Sequence, residues 1–215
     1  MAQKRLSGGL QTQAKPSSFR EKDPKVELEA KSGREKIEEI LKHRDGLQSA
    51  QELLGCEIVA ATGGGMARFR ITKTRSFNGI SHRTTNRDGI VQEAGMVYIM
   101  RHRAAKLLNV TTGREGAPTC VWIEEAVEVK SGKTFKSNQL LKALGMEDSD
   151  GQPVFTERTA IVPGQKPQRV ERLSPVAEGA STNTTGIFRA VFSQEEATMN
   201  SLREAVEMYT GKDGK

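Results

Sequence analysis

The segment from Met66 to Phe77 constrains the fold more than any other part of the chain. Phe69 and Ile71 alternate with Arg68, Arg70 and Thr72, which is the period-two pattern of a half-buried strand. Asn78-Gly79 follows at once, the dipeptide best suited to the positive φ values of a tight hairpin turn. The spacing predicts a β-hairpin that turns at Asn78-Gly79 and returns over Ile80 to Asn86. One face of that ribbon is apolar and the other is lined with arginine.

The charge of this region is one-sided. No Asp or Glu occurs from Ile58 to Arg87, yet the span holds Arg68, Arg70, Lys73, Arg75, Arg83 and Arg87, with His82 among them. Charged residues make up 28% of the chain and the net charge is +6, so an acid-free run of this length concentrates the surplus. Dense like charge repels itself unless a counter-charge is bound, and solvated faces normally mix signs. The expected counter-charge is a polyanion, with nucleic acid, DNA or RNA, the favoured partner. A two-stranded ribbon also fits a nucleic-acid groove.

Further cations support that reading. Lys4 and Arg5 sit in an N-terminal stretch that is free of acid until Glu21 and rich in Gly, Gln and Ser. Its few apolar groups cannot offset the entropy of ordering it, so residues 1–24 are expected to form a flexible basic arm. The composition also suits a mitochondrial transit peptide. Arg101, Arg103 and Lys106 lie close in sequence to the hairpin and are expected to assist it. Phe77 is placed at the hairpin tip, either stacking on a base or folded back on the domain.

The rest of the chain reads as alternating short elements. Ser32 and Glu35 form a capping box before a helix whose apolar face is Ile37, Ile40 and Leu41. A second helix spans about 47–54 and ends at Gly55. Cys56 to Ala61 is a strand. Val97 to Met100 suits a buried strand, and Arg101 to Asn109, with its Ala-Ala and Leu-Leu pairs, looks helical. Thr119 to Val129 is a strand that turns back at Ser131-Gly132. Ser137 opens a helix closed by Gly145, short strands fit 153–162 and 168–173, and 186–192 is a strand. A capping box at Ser193 and Glu196 opens a last helix to Gly211. Together these predict an α+β class: an antiparallel or mixed sheet packed by several short helices, one domain over 25–211, the arm before it and a tail at 212–215.

Motifs for chemistry are weak. Gly132-Lys133-Thr134 resembles the end of a phosphate-binding loop but lacks its first glycine, and reads as a hairpin turn. The glycines after Thr62 read as a turn with some capacity for phosphate. Asp148-Ser149-Asp150-Gly151 lacks the later ligands of a calcium loop. His43, His82 and His102 are scattered, so no metal and no cofactor is expected. Cys56 and Cys120 sit in apolar contexts and read as buried free thiols. With seven Phe, two Tyr and one Trp, a broad stacking platform for single strands is not expected. No apolar run is long enough to span a bilayer, and no small-molecule substrate suggests itself.

The leading expectation is therefore a non-enzymatic, cytoplasmic nucleic-acid-binding protein that neutralises phosphates and forms a homo-oligomer. The alternative is a structural subunit of an assembly such as a virion coat or nucleoprotein. An enzyme with an unrecognised site is the third class.

Overall fold

In the computed structural model the described residues are 24–78, 93–102, 105–113, 119–174 and 184–193. The elements are helices α1 (Pro24–His43), α2 (Gly46–Glu52) and α3 (Ser137–Leu144), and strands β1 (Glu57–Thr62), β2 (Gly65–Asn78), β3 (Val97–His102), β4 (Ala105–Thr112), β5 (Thr119–Glu128), β6 (Thr134–Lys136), β7 (Thr159–Val162), β8 (Arg169–Arg172) and β9 (Thr184–Val191). All the strands join one antiparallel sheet that curls into a half-barrel.

Two long strands, β2 and β5, form the spine of the sheet. Each shares its outer edge between two partners. β1 pairs with β2 over Gly65 to Arg70 and β9 takes over from Lys73 to Phe77. Likewise β4 pairs with the start of β5 and β6 with its end. Splitting both edges lets the sheet change direction along its length, which is how a twisted antiparallel sheet curls without closing.

The helices cover one face. Ile37, Ile40 and Leu41 of α1, Ala50 of α2 and Leu140, Leu141 and Leu144 of α3 are buried with Phe69, Ile71, Val121 and Ile123 of the spine. Polar ties fix their seats. Asp45 caps α2 by accepting the Gln48 N–H at 2.7 Å. Ser49 Oγ donates to the Ile40 carbonyl at 2.9 Å, and Thr74 Oγ1 donates to the Ala50 carbonyl at 2.6 Å, tying α1 to α2 and α2 to β2. Gly145, at φ 65, ends α3 in the left-handed conformation that glycine adopts without strain.

Several expectations are corrected here. The fold is a strand-dominated half-barrel with three described helices, not an α+β sheet packed by several. The segment read as helical after Arg101 is β4. Leu107 through Thr112 are buried without interruption, so both faces of that strand are covered and its period-two signature is erased. Pairing with β3 and β5 then overrides the helix propensity of its Ala and Leu residues. The first helix begins at Pro24 rather than Ser32.

The hairpin is also relocated. β2 turns against β1 through Gly63-Gly64, and the predicted turn at Asn78-Gly79 runs into residues outside those described. Over Lys73 to Phe77 both edges of β2 are occupied, by β5 and β9, so the edge that a return strand required is already taken. The predicted return segment itself, the N-terminal arm and the last predicted helix lie outside the described residues.

Candidate active site

The face of the sheet turned away from the helices carries a buried charged cluster. Strict alternation from Ile71 sends Lys73 toward the core. Two compensating irregularities prevent this: the β2–β5 register shifts between Ile71 and Lys73 and again between Lys73 and Thr74. Thr72 is the extra residue on β2 and Glu124 the extra residue on β5. As a result Thr74 faces α2, while Lys73, Arg75 and Glu124 meet on the other side.

These three side chains form one buried cluster. Lys73 Nζ lies 3.0 Å from Glu124 Oε2, and Arg75 Nε donates to Glu124 Oε1. All three residues are less than a tenth exposed. The Arg75 guanidinium also lies over the Trp122 ring, 4.9 Å from its centroid. Desolvated charges persist only when paired, and here the Glu124 carboxylate is shared by two cations. The Trp122 Nε1–H is buried and has no hydrogen-bond partner. Such orphaned donors are rare in native interiors.

Beside this cluster, across β5 and β4, the face continues with Cys120, Asn109 and Tyr98. The Asn109 amide donates to the carbonyls of Tyr98 and Leu107, at 3.3 and 3.0 Å. Burial pushes the Cys120 thiol up to about 12 and the Tyr98 phenol up to about 12, so both are neutral near pH 7. On the other side of the cluster, Glu57 pairs with Arg68 at 2.7 Å and Arg70 at 3.6 Å, and Arg70 lies over Phe192 at 5.3 Å. Arg70 Nε is a second buried donor without a partner.

The structure thus gathers Arg68, Arg70, Lys73 and Arg75 on one face, but with carboxylates among them. Arg68 keeps a side-chain exposure of 55%, whereas Lys73 and Arg75 are interior groups. Phe77 is not at a hairpin tip. It lies within the sheet, opposite Cys120 on β5 and Thr184 on β9. Arg101 is exposed on the edge strand β3 and pairs across the ladder with Lys106, whose Nζ donates to the Glu147 carbonyl at 3.1 Å. Lys4, Arg5, His82, Arg83, Arg87 and Arg103 lie outside the described residues.

Sequence reasoning missed Glu124, Trp122 and Asn109. The one signal available was the Glu124-Glu125 doublet, which puts acid on both faces of an otherwise apolar strand and so marks a break in alternation.

A buried carboxylate held between cations, beside an indole with an idle donor, makes this face of the half-barrel a candidate functional site. The family model for methylpurine-DNA glycosylase matches residues 40–171, a span that contains the whole Lys73–Arg75–Glu124 cluster. The chain belongs to this family. In addition, an alignment 96 positions long, covering 40% of the chain, is 32% identical to a protein of Lactiplantibacillus plantarum named "Putative 3-methyladenine DNA glycosylase". That match spans 46% of the relative's length.

Membership corrects two expectations. The chain stands among enzymes, not among non-catalytic binders, and nothing in the family supports a virion coat, a structural role or RNA. The lean aromatic content that argued against a stacking platform does not argue against a site built around one buried nucleotide.

Proposed function

We propose that the protein excises a damaged purine from DNA by cleaving its N-glycosidic bond, at the face that carries Glu124. The observation behind this reading is the family match over residues 40–171, whose span encloses this buried carboxylate. Enzymes that act on a base in duplex DNA extrude it from the stack into a pocket. As the bond from C1′ to the purine breaks, positive charge builds on the sugar. A carboxylate there stabilises that charge and takes the proton of the attacking water. Lys73 and Arg75 hold the carboxylate by its two oxygens and set its orientation. Trp122 supplies a flat ring and a free N–H for the extruded base. The exposed Arg68 and Arg101 suit backbone phosphates.

The test is single-turnover incubation of excess protein with a duplex methylated at its purines, with free base measured by chromatography. Methylated purine is expected to be released, and Glu124→Gln is expected to slow release by about 100-fold or more. If the wild-type protein binds the duplex and releases no base, the reading fails.

A further inference from the structure

Lys73 brings a chemistry that holding a carboxylate does not use. Lys73 and Arg75 both orient Glu124, but only Lys73 carries a primary amine, while the Arg75 guanidinium is also seated over Trp122. Lys73 is a second cation on the same carboxylate, and the double register shift in β2 and β5 brings it there. Bulges of this kind cluster next to active sites, where they re-aim a side chain. A desolvated primary amine next to another cation is an arrangement that activates lysine for imine formation with a carbonyl, and the carboxylate in contact is the acceptor its proton needs.

The product of base excision supplies that carbonyl, because an abasic sugar opens to an aldehyde at C1′. We propose that Lys73 is the nucleophile of a second activity: cleavage of the DNA strand at abasic sites through an imine. The inference rests on the reading that this face receives an extruded nucleotide.

The step balances with water as the sole co-reactant. Lys73 passes a proton to Glu124, 3.0 Å away, and its amine adds to the C1′ aldehyde. Glu124 returns the proton to the departing hydroxyl, water leaves, and a protonated imine forms. Glu124 then removes a proton from C2′. The electron pair of that C–H bond forms a C1′–C2′ enamine. The enamine then re-forms the imine as a C2′–C3′ double bond is made, and the C3′–O bond breaks with its electrons leaving on the phosphate. Glu124 releases its proton to water. Water hydrolyses the unsaturated imine and restores Lys73. Arg189, exposed and directly opposite Lys73 on β9, is placed to receive the phosphate that departs.

The experiment uses the full chain and a duplex that already contains one abasic site, so it does not depend on base excision. Cyanoborohydride reduces an imine to a stable amine. Wild-type protein is expected to form a covalent DNA adduct that peptide mass spectrometry maps to Lys73. Without reductant it is expected to nick the strand on the 3′ side of the abasic site. Lys73→Arg keeps the charge but cannot form the imine, and is expected to lose both adduct and nicking by at least 100-fold. Absence of a wild-type adduct, whether or not the duplex is bound, overturns the proposal. So does an adduct mapped to another amine, or one that persists in Lys73→Arg. Mapping on the wild type does not depend on how the variant folds. Base release from methylated duplex without an adduct sinks this inference and leaves excision standing. An adduct at Lys73 without base release does the reverse.

Discussion

Glu124→Gln tests the central physical claim, that the Glu124 carboxylate is shared by two interior cations and holds them. The substitution preserves shape and removes one charge, so Lys73 and Arg75 lose the carboxylate they share. At an effective dielectric of about 20, a contact pair at the 3.0 Å seen for Lys73 carries roughly 5.5 kcal/mol of Coulombic attraction. Two such pairs are lost, while part of the cost returns as the cations rehydrate and the amide makes weaker hydrogen bonds. Breaking a buried pair by removing one partner typically costs about 3–5 kcal/mol, and that is the expected loss here. The assay is urea unfolding followed by circular dichroism, where the midpoint should fall and the slope stay constant. Lys73→Met alone should also destabilise. Combined with Glu124→Gln it should cost less than the sum of the two by about 1–3 kcal/mol, because the second change removes a charge the first left unpaired. Stability of Glu124→Gln within about 1 kcal/mol of wild type, or strict additivity of the pair, would refute the claim.

Other expectations concern single contacts. Thr74→Val should lower stability by about 1–2 kcal/mol in the same titration, since it leaves the buried Ala50 carbonyl without its 2.6 Å donor. Gly164→Ala should be at least as damaging as a typical overpacking change of about 1–3 kcal/mol, because the new Cβ would lie 2.2 Å from the Gly55 carbonyl oxygen, a backbone atom with no room to move. Stability should also decline in alkali. The Cys120 thiol, raised from 9.0 to about 12, keeps in the folded state a proton that the unfolded chain releases. Its contribution is intact below pH 9 and is lost as pH rises toward 12, with about 1.4 kcal/mol gone by pH 10. Cys56, raised to about 11, and Tyr98 act in the same direction. Cys120→Ala should flatten this limb in thermal melts taken from pH 8 to 11, and an unchanged slope would count against the burial argument.

Local signals served well where one face of an element is buried and the other is wet. The spine strand Met66 to Phe77, the strand from Thr119, the turn at Ser131-Gly132 and the close of α3 at Gly145 were all legible, because period and turn chemistry are short-range properties. β4 was not, because burial on both faces removes the period that marks a strand. The fate of the arginine-rich stretch was not legible either. Its acid-free composition read as a surface awaiting a polyanion, yet the carboxylate that pairs Lys73 and Arg75 comes from Glu124, 49 residues beyond Arg75. The sequence by itself determined that this region is a strand with an apolar face and a cationic one. Only the tertiary structure decided that part of the cationic face is interior and paired with a carboxylate, because that depends on a doubly shifted register between two distant strands.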